Sequence, residues 1–361
     1  MTLTNFAYDP LLDLAPWVGQ RQATFRFDLV NRVSGINLGE IHPLRSASLS
    51  HDTSAVIKRR LTMALGAADT AAINPITDMV RLTMVFPAGQ EYPLGEYVFS
   101  DSTYQIFTSG QLSNMVLSDM MFIIDQQIET AFSARDDTRP SFFINGTDIS
   151  VAIENLLKDQ PIQLDIEESE FLSVDSWSAG TMRGQIIEAL CLSGDYFSPW
   201  FGNDGVLHFV RAFNPALRIP DFDWDAGRQV IRSSITQSSN VLTAPNRFIV
   251  ISNAPSDGNV PTFGSADVPV NAPHSVQNRG FVVASVQDLQ ALTGQQCTAI
   301  ATNLVQRQSV IQTSTVTTAP DPRHDSYNVI RWQDELWLEL GWSMTLVEGS
   351  PMSHTLRKAY R

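Results

Sequence analysis

Cysteine is nearly absent: the 361 residues hold two, Cys191 and Cys297. Neither belongs to a C-x-x-C pair, and both stand among apolar positions with helical spacing. Buried free thiols are expected, not a disulfide framework or a cysteine-ligated metal. Long apolar runs are missing as well. No 18-residue apolar stretch occurs, so no bilayer-spanning helix is expected. The opening MTLTNFAYDPLLDLAP has no basic stretch followed by an apolar one, so a secretory signal is not expected either. Basic residues are scarce, with 24 Lys and Arg against 38 Asp and Glu, a net charge of −14. That balance argues against a surface built to grip phosphates. Charged residues of both signs make up only 17% beside 43% hydrophobic, which suits a globular chain with much surface buried against partners.

Motifs that carry chemistry are missing too. There is no phosphate loop, no dinucleotide fingerprint and no G-x-S-x-G elbow. The histidines (His42, His51, His208, His274, His324 and His354) show no paired-ligand spacing, so no bound metal is expected. DFDWDAG (221–227) begins like a calcium loop but puts Ala226 where glycine is required and Arg232 where glutamate is required. Its carboxylates are expected to face water. DIEESE (165–170) reads as a solvated acidic face before it reads as a catalytic pair. His324, Asp325 and Ser326 are sequence neighbours, which is not how a catalytic triad is assembled. Asn145-Gly146-Thr147 matches a glycosylation sequon but has no secretory context. The 7 Trp and 19 Phe read as core and subunit contacts before a carbohydrate platform. No enzyme and no cofactor are expected.

What is present is period-two alternation. In residues 321–361, Tyr327, Val329 and Arg331 alternate with Asn328, Ile330 and Trp332. Asp334-Glu335 supplies a turn, and Leu336, Leu338, Leu340 and Trp342 share a face opposite Trp337 and Glu339. Glu348-Gly349-Ser350-Pro351 marks the next reversal, giving a three-stranded meander. Near the start, TFRFDLV (24–30) alternates, a Ser/His-rich connection covers 45–54, and strands are expected at 55–65, 79–86, about 91–107 and 111–117. Residues 66–75 read as a long exposed loop. The middle differs. Apolar positions 149, 152, 153, 156 and 157 make a helical face after Thr147 or Asp148, with Pro161 as its stop. A second helix spans about 181–192, and Gly202-Asn203-Asp204-Gly205 turns a hairpin. Strands resume at QVIRSSIT and NRFIVISNA (246–254), 255–280 reads as loop, and Thr293 with Gln296 forms a capping box for a helix to about 308.

The expected fold is mainly β with an α+β insertion: two β-barrels linked by a small α+β domain. Residues 1–128 would hold an N-terminal arm (about 1–20) and the first barrel. Residues 129–214, completed by 256–309, would form the connecting domain. Residues 215–255, completed by 310–361, would form the second barrel.

The stretches VFPAGQEYPLGEYVFSD, FIIDQQIETAFSA, GQIIEALCLSGDYFSPWFGNDGVLHFVRAF, LTAPNRFIVISNA and DPRHDSYNVIRWQDELWLELGWSM resemble minor tail proteins of phages with long non-contractile tails that infect actinobacteria. Within that group the chain is similar to the tail hub, itself similar to the baseplate hub of contractile-tailed phages. The resemblance spans about residues 20–361. It implies a structural virion protein at the distal end of the tail, a homotrimer whose two tube-like barrels per subunit adapt a sixfold tube to a threefold tip. Implied partners are the distal tail protein ring, the tape measure protein and further minor tail, tip or fibre proteins, with genomic DNA only passing through the lumen. A negative wall would let that DNA slide. The resemblance also implies that the 66–75 loop stacks on a neighbouring ring, which makes Gly66, Asp69, Thr70, Ile73 and Asn74 candidate contact residues. A carbohydrate-binding receptor protein and a cell-wall hydrolase are the competing readings.

Overall fold

A computed structural model describes residues 22–45, 47–87, 89–107, 110–134, 147–173, 175–225, 230–237, 242–252, 262–289, 293–308 and 312–360. The arm expected at 1–20 and most of the Asn145-Gly146-Thr147 sequon lie outside them. The first unit contains β1 (Thr24–Asn31), β2 (Asn37–Glu40), β3 (Ala47–Asp52), β4 (Arg59–Gly66), α1 (Ala67–Ala72), β5 (Asp78–Val85), β6 (Glu91–Phe107) and β7 (Gly110–Ser118). Its strand order is β3-β4-β7-β6-β5-β1-β2, with every pairing antiparallel. The run from β2 into β3 changes partner as it goes. Ile41 N–H donates to Phe27 O at 2.9 Å, and Leu44 N–H donates to Ala64 O at 2.8 Å. One bent run therefore touches both ends of the strand order and closes the unit around Phe27, Leu49, Leu61, Leu82, Met84 and Leu117.

Two expectations for this unit change. The 45–54 connection carries β3, in which Ala47, Leu49 and His51 point inward and Ser48, Ser50 and Asp52 outward. Serine in the outward register hid that alternation, and the next strand starts at Arg59 instead of Ala55. Residues 66–75 are not a plain loop either. Ala67–Ala72 forms α1, as four alanines in six residues allow, and the Thr70 hydroxyl donates to Gly66 O at 2.8 Å.

The connecting domain follows with α2 (Met121–Ile124), β8 (Phe132–Ser133), β9 (Thr147–Asp148), α3 (Ile149–Leu157), β10 (Gln163–Ile166), β11 (Leu172–Ser173), β12 (Ser176–Trp177), α4 (Arg183–Ser193), β13 (Trp200–Phe201) and β14 (Val206–Phe209). All five apolar positions assigned to the α3 face are buried. They pack with Ile186, Leu190, Phe201, Leu207 and Phe209, and the same core takes in Val30, Met79 and Val98 from the outside of the first unit. Apolar burial thus fixes the connecting domain to the first unit.

The remaining strands are β15 (Phe222–Asp223), β16 (Val230–Gln237), β17 (Arg247–Ser252), β18 (Thr262–Asp267), β19 (Ala284–Leu289), β20 (Gln312–Thr318), β21 (Val329–Trp332), β22 (Glu335–Leu346) and β23 (Met352–Lys358), with α5 (Val276–Arg279) and α6 (Gly294–Gln308) between them. β17 was expected in the second barrel. It is instead the centre of a separate sheet, β18-β17-β19, and Phe248 and Val250 pack on Cys297, Ile300 and Leu304 of α6. Alternation specifies a strand but not its sheet. β18 also occupies part of the expected 255–280 loop. Gly264 lets α6 come close, since a Cβ there would lie 2.2 Å from Thr298 N. α6 docks on the connecting domain, with Gln296 Nε2 donating to Leu172 O and Ser193 O. Thr293 acts as the cap of the expected box, its Oγ1 accepting from Gln296 N–H, while the glutamine Nε2 ties the helix to its neighbours. Cys191 and Cys297 are buried free thiols.

The second unit runs β16-β20-β23-β22, with β21 on β22 and β15 parallel on β21. β22 is shared. Its first part pairs with β21, its later part pairs with β3 of the first unit, and β23 lies along most of it. The two units are consequently one 13-stranded sheet. The register slips between Glu339 and Gly341, a bulge that re-aims the strand.

At that junction a Cβ on Gly341 would lie 2.4 Å from His51 O, a backbone atom that cannot swing away. Gly341→Ala is expected to cost about 1–3 kcal/mol through forced separation of β22 and β3. Ser343→Ala, at an exposed position two residues on, should be near neutral. Urea midpoints of the two variants check this; equal midpoints would show that the pairing tolerates a side chain.

Candidate functional site at the junction of the units

The turn between β20 and β21 sends three consecutive polar side chains to different places. His324 Nδ1 lies 2.9 Å from Glu339 Oε2, Asp325 Oδ1 accepts from Arg59 Nη2 at 2.7 Å, and Ser326 Oγ lies 2.8 Å from His51 Nε2. Arg59 is fully buried. Its Nη1 donates to Asn203 Oδ1 of the connecting domain and to Leu94 O of the first unit, and Asn203 Nδ2 donates to Pro322 O at 2.7 Å. One guanidinium thus serves all three units, which its rigid fork of donors permits. Burial alone would lower its pKa, but the Asp325 carboxylate beside it holds it above the ordinary value. Tyr327, with φ of 60°, stacks on Phe197 at 4.3 Å and extends the junction into apolar contact.

The failed calcium loop has a different task from facing water. Asp221 Oδ2 accepts from Val329 N–H at 2.7 Å, Asp223 pairs with Arg331 at 3.4 Å, and the two Asp225 oxygens accept from Gln333 and Asp334 N–H at 2.6 and 2.8 Å. Carboxylates at every second residue of one strand clamp the parallel neighbour. Gln333 and Asp334 have φ of 56° and 58°, in a two-residue hairpin turn that usually recruits Asn-Gly. The Asp225 clamp offsets that strain. In the 165–170 run, Asp165 lies 2.9 Å from His208 Nδ1 and Glu167 accepts from Arg211 N–H at 2.7 Å.

A cleft of about 1000 Å³ opens between β3, α4, α6, β22 and β23. Its lining carboxylates are both engaged: Asp52 accepts from Ser54, and Glu188 accepts from Arg307 at 3.2 Å and from Ser198. Lys58 donates to Thr53 O, Ala55 O and Ser198 Oγ, and burial lowers its pKa to about 8. The lining offers no opposed pair of unengaged acids of the kind hydrolysis of a glycosidic bond requires. Trp200, Trp224, Trp332, Trp337 and Trp342 are buried in cores, so they make no stacking platform for a sugar.

The candidate contact residues lie at one end of the first unit. Gly66 precedes α1, Asp69 and Thr70 are half-buried within it, and Ile73 packs partly on the core of the first unit. Asn74 is exposed and is held by Asp78, whose Oδ2 accepts its N–H at 2.8 Å. Thr70 and Ile73 also line a small cavity with Pro75, Phe99 and Met115. The segment meets the β1–β2 turn: Arg32 N–H donates to Thr77 O, and Arg32 Nη2 donates to Ile76 O. Val33, Ile36, Leu38 and Ile76 are all more than half exposed there. The sequence reading missed this apolar tip. The signal available was Val33 and Ile36 on either side of Ser34-Gly35 in a turn.

No family model matches the chain, and no curated protein matches it in sequence. Solved structures do match. A tail protein from Neisseria meningitidis MC58 superposes with a TM-score of 0.62 at 11% identity, covering 92% of this chain and 96% of that one. The 43 kDa tail protein of prophage MuSo2 from Shewanella oneidensis gives 0.56 at 11% identity, over 93% and 98%. Prophage tail protein gp18 from Listeria monocytogenes EGD-e gives 0.56 at 8% identity, over 92% and 94%. The chain therefore has the mainly β fold of phage tail proteins.

Two predictions concern the junction. Removing one partner of a buried ion pair strands the other, so Arg59→Met or Asp325→Asn is expected to cost about 3–5 kcal/mol by urea unfolding. A loss below about 1 kcal/mol would mean that water reaches the pair. The second concerns His208. Burial lowers its pKa, but bonds to Asp204 and Asp165 outweigh this and raise it to about 8. The folded state then holds the proton more tightly, so its contribution is full below pH 6.5 and is lost as pH rises through about 8. Urea midpoints should fall across that window, and Asp165→Asn should flatten the fall.

Proposed function

We propose that the chain is a structural virion protein, the trimeric hub at the distal end of a phage tail, with no catalytic role of its own. The observation that carries this reading is β22, which joins two six- to seven-stranded β units into one sheet within a single subunit. Three subunits so built would present six β units around an axis, which is what an adaptor between a sixfold tube and a threefold tip needs. The likeness to phage tail proteins over more than nine-tenths of the chain supports the same class. The exposed tip of Val33, Ile36, Leu38 and Ile76, beside α1 and Asn74, is a suitable docking face for the distal tail protein ring or the next tip protein. A lumen for DNA, the tape measure protein and further tip or fibre proteins are partners in the same reading. The carbohydrate-receptor alternative finds no support in the buried tryptophans.

Native mass spectrometry of the purified 40.0 kDa chain tests the oligomer: a trimer is expected, and a persistent monomer at assembly concentrations would overturn the hub reading. Docking is tested separately. Val33→Asp with Ile76→Asp should leave the trimer intact and stop tail completion. Replacing 67–73 by a Gly-Ser linker should do the same, with some loss of stability because Ile73 packs on the core. Normal infectious particles from the double variant would remove the docking role.

A further inference from the structure

Three donors that the sequence keeps apart converge inside the second unit. Glu339 stands on β22 at the bulge, His354 on β23 and His324 in the turn before β21, each histidine fifteen positions from the glutamate. His324 Nδ1 lies 2.9 Å from Glu339 Oε2, and His354 Nδ1 lies 2.6 Å from Oε1. One donor atom from each residue falls within 4.8 Å of the others, and all three side chains are buried. Phe222 stacks on His324 at 4.0 Å, and Trp224 meets His354 edge-on at 5.1 Å. The shell is apolar and aromatic.

Two features show that an electrophile belongs between these donors. The first is charge. Among the described residues, Glu339 has ion-pair contacts only with the two histidines; the nearby cations are engaged elsewhere, Arg323 with Asp321 and Arg59 with Asp325. A buried carboxylate is very costly unless a proton or a metal cation neutralises it. The second is hydrogen-bond direction. The Thr318 hydroxyl lies 2.8 Å from both Ala319 O and His354 Nε2; with its single proton given to Ala319 O, it accepts from His354 in the tautomer that carries hydrogen on Nε2. A neutral His354 then turns the bare lone pair of Nδ1 towards a carboxylate oxygen 2.6 Å away. Two lone pairs do not share that distance unless a proton or a metal cation lies between them.

We propose that His324, Glu339 and His354 form a buried structural site for a first-row divalent cation of the zinc type. Two imidazole nitrogens and a carboxylate are a donor set suited to such an ion. Thr318 plays the outer part, orienting His354 by accepting its other N–H. The cation would tie the turn at 321–328 to β22 and β23, and that turn carries Asp325 and Ser326, which hold the first unit. This site does not depend on the assembly reading above.

The test uses the untagged full chain. Inductively coupled plasma mass spectrometry after purification should find about one zinc-type ion per chain. Chelation should lower Tm, and added zinc should restore it. Cobalt(II) loaded into the chelated protein should give visible d–d bands. His354→Ala should abolish binding, and Thr318→Val, which leaves all three ligands, should weaken it about ten- to a hundredfold. His42→Ala, at an exposed histidine, should change nothing. Metal-free protein whose Tm ignores both chelator and zinc, and which gives no cobalt bands, would overturn the site and leave a shared proton as the cation between the donors. Equal zinc affinity in wild type and the Thr318→Val and His354→Ala variants would likewise overturn it, by placing the ion elsewhere.

Discussion

A β-strand has two edges, and on β22 both are taken along most of its length. β21 and then β3 occupy one edge, and β23 the other. That constraint organises the molecule. Because the pairing partner changes from β21 to β3 part-way, the two β units cannot be separated without breaking a continuous hydrogen-bonded ladder. The bulge at Glu339–Gly341 falls at the change of partner, where the strand must twist to serve two curved surfaces. Gly341 admits β3, and Glu339 turns into the second unit's interior. Since β22 and β23 follow every other described strand, the sheet is completed only by residues 335–358.

Around this strand, directional polar bonds set the angles that apolar packing leaves free. The cores are ordinary: mostly aliphatic with a few aromatics such as Phe27 and Phe86 in the first unit, richer in aromatics with Trp224, Trp332 and Trp337 in the second. What differs is the junction, where Arg59, Asn203 and Asp325 are buried or half-buried among backbone carbonyls. A low local dielectric makes each of these bonds strong and makes any unpaired member costly. The three units are therefore held in one relative orientation by a few residues.

Much of the fold was legible in the chain, for a physical reason. The meander at 329–358, the α3 face and the alternation of β1 rest on local periodicity, and the structure keeps them. β17 shows where this stops, because Phe248 and Val250 are equally good inward residues for either sheet and only the arrival of α6 decides. β3 was hidden because its outward positions are serines that read as a connection. The DFDWDAG run was judged against a metal loop, although its aspartates at every second position matched the strand spacing of the residues they clamp. Least legible was the His324–Glu339–His354 cluster. Its spacing depends on the hairpin registers of β21, β22 and β23, and no ligand pattern of the helical or knuckle type anticipates it.

The acidic composition takes on a second meaning once carboxylates are followed to their partners. Asp221, Asp225, Asp119, Asp78 and Glu167 all accept backbone N–H groups at turns or strand ends. A mainly β chain with irregular connections has many such donors, and a buried donor without an acceptor is expensive. Aspartate is short and offers two oxygens, so one residue can serve two donors, as Asp225 does for Gln333 and Asp334 and Asp119 does for Arg59 and Met121. Lysine and arginine cannot take that role, because they carry no acceptor. Part of the net charge of −14 is therefore internal fastening, present whatever passes by the surface. Exposed acids such as Glu40, Glu168 and Glu348 carry the part of the charge that faces solvent, while the carboxylates within satisfy the backbone.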